Sequence, residues 1–301
     1  MPNEQVQNRR DFLAKGTALA AAGITGLGTS PVAAQEPKAQ PKICAFTKFL
    51  QDLSYDELAR TIKELGFDGV EATVRKKGHV LPERVEEDMP KMVDALKRHD
   101  VEIVAMASDV TGADALSEKV LKTATGLGVK WYRMGFLKYD LKKPIIPQLK
   151  SFKPQINELA DLNRQLGVQG LYQNHSDAKY MGATLWDLRE LIHDLPVEQI
   201  GSAFDIRHTT IEAGLSWPVI YDVMKPHIGA IFVKDFNWDK KKAKHVALGT
   251  GRVDPKFFDL VRESGFKGPY SLHVEYLGKE GVEANVAALK RDLKQLREWL
   301  S

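Results

Sequence analysis

Carboxylates, imidazoles and a lysine recur at the ends of short apolar runs in this 301-residue chain. They fall in Gly69-Val70-Glu71-Ala72-Thr73, Tyr172-Gln173-Asn174-His175, Phe204-Asp205-Ile206-Arg207-His208, Phe232-Val233-Lys234-Asp235 and Leu272-His273-Val274-Glu275. Side chains two apart on a strand share a face, so Gln173 with His175, Phe232 with Lys234, and His273 with Glu275 are expected to point together. Arg207 shares the parity of Asp205 if that strand stays regular. Such a set suits moving a proton on a carbon beside a carbonyl. An ammonium such as Lys234 polarises the oxygen, and His208 or His273 exchanges a proton near neutral pH. Glu275 serves as base if burial raises its pKa. Reprotonation makes an isomerase or epimerase, and loss of a β-substituent makes a lyase. Glu71, Gln173, His175, Arg207 and Trp238 are the expected substrate contacts, with Trp238 offering an aromatic face to a sugar ring. Plainer readings stand beside these: Glu71 and Lys234 as compensating charges, His175 as a loop-positioning histidine, and Trp186 or Trp217 as core plugs. His245 and His227 read as surface or loop residues, and His79, His99 and His193 as solvated ones.

The elements that must position these groups follow from apolar periodicity. Strands are expected at residues 43–47, 69–73, 102–108, 131–136, 170–175, 201–206, 230–235 and 270–276, alternating with helices at 55–65, 90–99, 117–127, 156–166, 184–195, 217–225, 255–263 and 284–300. Gly66, Gly167 and Gly265 stand where helix C-termini need positive φ, and Ser54 and Asp254-Pro255 stand where helices start. Eight strand and helix pairs predict an α/β fold, a single-domain (β/α)8 TIM barrel, since each parallel strand needs a crossover helix to reach the next. An open doubly wound sheet would place a glycine-rich loop after an early strand, whereas Leu248-Gly249-Thr250-Gly251 falls late. Function in such a barrel sits at the C-terminal strand ends, where the polar residues gather.

Those strand-end motifs, with Gly66-Phe67-Asp68-Gly69-Val70-Glu71 and His245-Val246-Ala247-Leu248-Gly249-Thr250-Gly251, resemble the sugar phosphate isomerase/epimerase superfamily with its xylose-isomerase-like barrel. The resemblance spans residues 42–300, and the order of the motifs is its specific part. It implies a divalent metal, commonly manganese, held by Glu, Asp, His and Glu from strands five to eight. The strand-six Asp falls on Asp205, and the substrate-contacting His three residues later falls on His208. The remaining ligand positions fall on Gln173, Phe232 and His273, none of which keeps the family's residue. Gln offers one neutral oxygen and Phe no lone pair, so a hard ion is held more weakly. A rearranged manganese or zinc site drawing on Asp205, His273 and Glu275, with His208 or His175, stays open beside a metal-free one. A 3-keto-glycoside lyase or hydrolase, and a non-catalytic sugar-binding barrel with a degenerate metal site, are the alternative functions.

Ahead of the barrel, Asn8-Arg9-Arg10-Asp11-Phe12-Leu13 precedes a weakly apolar Ala/Gly-rich run, and Val32-Ala33-Ala34 offers a cleavage-like end. Residues 1–34 therefore read as a twin-arginine signal peptide, 35–41 as a tether and 42–301 as the barrel, with a periplasmic or extracellular destination. The run is too weakly hydrophobic to favour a membrane anchor. One cysteine, Cys44, excludes an intramolecular disulfide. The formal charge of +3 falls to about +2 without the leader, which gives no case for nucleic acid. Lys240-Lys241-Lys242 with Lys244 reads as a solvated basic loop or a phosphate contact. The expected partner is a small-molecule carbohydrate, free or glycosidic.

Overall fold

A computed structural model describes residues 41–278 and 280–301, and the leader and most of the tether lie outside the described residues. Eight parallel strands close into a barrel: β1 (Ile43–Phe46), β2 (Gly69–Val74), β3 (Glu102–Ser108), β4 (Trp131–Arg133), β5 (Gln169–Gln173), β6 (Ile200–Asp205), β7 (Ile228–Val233) and, after a two-stranded hairpin of β8 (Asp235–Asp239) and β9 (Lys242–Val246), β10 (Tyr270–Leu272). Around the ring the order is β1-β10-β7-β6-β5-β4-β3-β2. The helices outside it are α1 (Tyr55–Leu65), α2 (Val85–Arg98), α3 (Ala115–Gly126), α4 (Ile145–Leu166), α5 (Trp186–Ile192), α6 (Ile206–Ala213), α7 (Trp217–Met224), α8 (Lys256–Glu263) and α9 (Val282–Leu300).

Local chemistry sets many of these boundaries. Ser54 caps α1 through a reciprocal capping box with Glu57, and Gly66 ends that helix at φ +83°. Gly167 and Gly265 also take positive φ, at +65° and +72°. Pro90 and Pro154 lie inside α2 and α4, so both helices start a turn or more earlier than periodicity suggested. The packing of Val85, Met89 and Met92 recovers what a proline removes from the helix ladder. Strands β4 and β10 are shorter than expected, with His273 and Glu275 beyond the end of β10.

Two apolar layers hold the barrel. Between strands and helices, Phe204 of β6 stacks on Phe257 of α8 with centroids 5.7 Å apart, and Tyr221 and Trp217 of α7 meet the same ring edge-on. Each such side chain contributes about 1.5–3 kcal/mol by leaving water. Inside the barrel, Leu171, Ala203, Ala230 and Phe232 form a separate apolar plug. Strand alternation puts Gln173, Asp205 and Lys234 two residues beyond Leu171, Ala203 and Phe232, so the next layer toward the C-terminal mouth is polar.

Candidate functional site

The polar layer is a closed circuit of side chains drawn from six strands or their ends. Glu71 of β2 accepts from His273 Nε2 at 2.7 Å and from Ser271 Oγ at 2.6 Å through the same oxygen, Oε2. Its Oε1 faces the Arg133 guanidinium of β4 at 3.4 Å. Arg133 donates to Gln173 Oε1 at 2.7 Å, and Gln173 Nε2 donates to Asp205 Oδ2 at 2.7 Å. Lys234 Nζ lies 3.1 Å from Asp205 Oδ2 and 3.1 Å from Glu275 Oε1. Glu275 returns to His273, whose Nδ1 is 3.6 Å from Oε1, and its Oε2 accepts from Lys48 at 2.9 Å. Three carboxylates thus meet three cations. That balance matters because Glu71, Asp205, Lys234 and His273 are all at most 4% exposed, and an unpaired charge there would cost several kcal/mol.

The charge states follow from this wiring. Burial alone pushes the Glu71 carboxyl upward, but His273, Arg133 and Ser271 outweigh it and hold it below its ordinary 4.5. Burial acts the same way on Glu275 and is overcome by Lys234, His273 and Lys48, which leaves this carboxyl well below 4.5. The expected rise of Glu275 with burial is therefore corrected: the cations around it win. His175 falls to about 4, first through burial and then through Lys234. His208 is lowered well below 6.5 by burial, Lys234, His175 and Arg207. Both imidazoles are neutral near pH 7, and their rings pack at a 34° tilt with centroids 4.0 Å apart.

Their tautomers are dictated by their neighbours. His208 Nδ1 accepts from the Ser176 backbone N–H at 3.1 Å and faces Ser176 Oγ and Arg207 NH1 at 2.8 and 3.1 Å, so its proton sits on Nε2, 3.7 Å from Asp205 Oδ2. His175 Nδ1 must donate to the Ser176 carbonyl at 2.9 Å, which leaves the lone pair on Nε2.

Above the circuit lies a cleft of about 520 Å³ whose lining includes Lys234, Glu275, His175, His208, Arg207 and Trp238. One wall is the β8–β9 hairpin, which sequence periodicity missed because its residues are mostly polar. Asp235 anchors it: this buried carboxylate accepts backbone N–H groups from Phe236, Gly249, Gly251, Arg252 and Val253 at 2.8–3.1 Å. A Cβ on Gly251 would lie 2.3 Å from Asp235 Oδ1, which explains the glycine there. Arg207 ties the hairpin to α6 by donating to the Ala243 carbonyl at 3.0 Å and lying over the Phe236 ring.

The donor set around Asp205 and Glu275 does not fit a divalent ion. The groups paired with these carboxylates at 3.1 Å or less are N–H donors, namely Lys234, the amide nitrogen of Gln173, the His208 backbone and Lys48, while His273 Nδ1 stands 3.6 Å from Glu275 Oε1, beyond hydrogen-bond reach. Gln173 has turned its one ligating oxygen to Arg133, and Phe232 contributes no lone pair. Among the described residues no group of three or more His, Cys, Asp or Glu is arranged to hold a metal. The set Asp205, His273 and Glu275 is interrupted by the Lys234 ammonium.

Of the expected site residues, Lys234, Glu275, His208, His175, Arg207 and Trp238 reach the cleft. Glu71, Gln173 and His273 lie beneath it, fully enclosed, and hold the others in place. Arg207 arrives by a different route from the one expected: β6 stops at Asp205, whose side chain caps α6 at His208 N, so a helix turn and not strand parity aims Arg207 and His208. Trp217 is core, whereas Trp186 is 56% exposed. His245 is not the surface or loop residue its sequence context suggests: it lines the cleft from β9, and burial followed by Arg207 lowers it to about 4. His79 is not solvated, being bonded to the Leu50 carbonyl and Thr73. Lys241 and Lys242 of the basic run stand at the cleft edge. Arg133 and Lys48 belong to the site without standing in any of the strand-end motifs. A charged residue inside the apolar Trp131-Tyr132-Arg133 strand was the available signal for the first; nothing local marked the second.

A family model described as a xylose isomerase-like TIM barrel matches residues 59–300. No curated protein matches the chain. Similar solved structures include the apo 3-keto-D-glucoside 4-epimerase YcjR from E. coli, at 17% identity and TM-score 0.66, covering 86% of this chain and 100% of that one. They also include L-ribulose 3-epimerase, at 16% identity and TM-score 0.65, covering 87% and 95%. The IolI protein with a bound zinc atom aligns at 16% identity and TM-score 0.69, covering 86% and 98%. At these identities the likeness is one of fold.

Proposed function

This chain belongs to the xylose isomerase-like TIM barrel family, and on that premise we propose that it is an enzyme moving a proton on the carbon beside a carbohydrate carbonyl, as an isomerase or epimerase. The observation that carries this reading is Lys234, an ammonium 3.1 Å from Glu275 at the floor of the cleft. In this reading the substrate carbonyl oxygen takes a hydrogen bond from Lys234, which supports the negative charge that develops as the adjacent C–H bond breaks. Glu275 takes the proton. In the resting site its affinity for a proton is suppressed, in large part by Lys234. As the ammonium turns to the developing enolate that suppression weakens, so the carboxylate becomes more basic at the moment it is needed.

His175 faces the cleft with an unprotonated Nε2 and serves a second proton position, taking the proton of the substrate hydroxyl beside the carbonyl and passing it to the enolate oxygen, while Glu275 gives its proton back to carbon. His208, fixed by Ser176 and Arg207, positions His175 and Asp205. Trp238 offers a ring face to the sugar. Loss of a leaving group beside the same enolate would make the enzyme a lyase. A carbohydrate carbonyl accords with the 3-keto-glucoside and ribulose epimerases that share the fold. Export through the twin-arginine leader belongs to the same proposal and places the substrate outside the cytoplasm.

Incubation with keto-sugars and 3-keto-glycosides in deuterated water tests the reading. Deuterium is expected at the carbon beside the carbonyl, accompanied by an isomer, an epimer or, for a lyase, an eliminated product. Binding of these sugars without any exchange would leave a sugar-binding barrel and overturn the enzyme.

A further inference from the structure

Lys234 occupies an unusual position for a lysine. Its Nζ is equidistant, at 3.1 Å, from carboxylate oxygens contributed by two different barrel segments, and it is 4% exposed. The two carboxylates could not remain ionised so close together in a dry barrel without a cation between them. The close partners of the two carboxylates beside that cation are further N–H groups, and His273 Nδ1 stays 3.6 Å from Glu275 Oε1. Gln173 Nε2 at 2.7 Å and the His208 backbone N–H at 3.1 Å complete Asp205, and Lys48 completes Glu275. His208 Nε2, which carries its proton, also faces Asp205. A divalent ion would need lone pairs at 2.0–2.6 Å and would meet an ammonium within its coordination sphere.

We infer that the Lys234 ammonium is the resident cation of this barrel, holding the place between Asp205 and Glu275 that a divalent ion would otherwise take, so that the wild-type site excludes divalent metal and loss of the ammonium opens a site for it. Asp205 and Glu275 would then supply two anionic oxygens facing one point, with room for water to complete the shell. Which cation stands between Asp205 and Glu275 does not depend on which sugar reacts.

The test is a titration of the full chain with Mn²⁺ alone at neutral pH, following free Mn²⁺ by electron paramagnetic resonance. Wild-type protein is expected to bind no stoichiometric ion. Lys234→Met is expected to bind one Mn²⁺ per chain, at least about tenfold more tightly than wild type, and Lys234→Met with Asp205→Asn is expected to lose it. Circular dichroism verifies folding, and Lys234→Gln, which keeps a hydrogen-bonding group, is titrated if Lys234→Met does not fold. One Mn²⁺ bound by wild type and removed by Asp205→Asn would overturn the inference. So would a folded Lys234 variant that binds no more tightly than wild type. Neither readout uses substrate, so proton exchange can fail while this result stands, and the reverse.

Discussion

Oε2 of Glu71 and Nε2 of His273 lie 2.7 Å apart beneath the cleft, joining residues 202 positions apart in the chain. Glu71 is closed to solvent and to the cleft, so its part is to orient His273 and to offset Arg133. Glu71→Gln keeps the shape and removes the charge. It should destabilise the fold by about 3–5 kcal/mol, the usual cost of stranding one member of a buried pair. Urea unfolding of the two proteins at pH 7 measures this, and a change below about 1 kcal/mol would refute the structural role.

The same carboxyl predicts behaviour in acid. Its folded pKa is depressed below 4.5, as is that of Glu275, so both contribute stability that is present above 4.5 and lost as pH falls through their lower folded values. Histidines add a second window. His175 and His245 lie at about 4 against an ordinary 6.5, so the unfolded chain binds their protons first and stability declines from pH 6.5 toward about 4. Each contributes at most about 1.4 kcal/mol per pH unit. Urea midpoints measured from pH 7.5 to 4.5 should fall steadily, and His245→Gln should flatten the slope.

Lys234→Met is the sharpest test of the proposed chemistry. Removing the group that supports the enolate oxygen should lower kcat for deuterium exchange about 10²–10³-fold. Lys234→Arg, which keeps the charge in a bulkier planar form, should recover only part of this. Exchange at wild-type rates in a folded Lys234→Met would remove the lysine from the reaction.

Trp238 is 43% exposed on the hairpin and lines the cleft, with Phe236 edge-on behind it at 5.5 Å. Trp238→Ala should raise KM about tenfold with little change in kcat, as expected of a ring worth about 0.5–1.5 kcal/mol beyond its area. An unchanged KM would place the sugar elsewhere in the cleft.

Asp235 gathers five backbone N–H groups, and Asp235→Ala leaves them without an acceptor. The β8–β9 hairpin should loosen, and trypsin should cleave faster at Lys240 and Lys241 in its turn while the barrel stays folded. Gly251→Ala should have a similar effect, because its Cβ would meet both Asp235 and the Phe236 carbonyl at 2.3 Å.

Much of this protein is legible in its sequence by itself. Apolar periodicity, capping residues such as Ser54 and Gly66, and the eight-fold alternation determine a parallel barrel, because those signals are local and each crossover admits few topologies. The same reading brings Asp205, Lys234, His273 and Glu275 to one end of it. Tertiary structure decided the rest. That Gln173 turns its oxygen to Arg133, that Glu71 lies beneath the cleft, and that Lys48 holds Glu275 depend on contacts between strands far apart in the chain. So do the pKa values, since the direction of Glu275 is settled by burial working against Lys234, His273 and Lys48. Spacing along one strand carries no information about which charge from another strand will stand opposite, and in a closed barrel that opposition sets the chemistry.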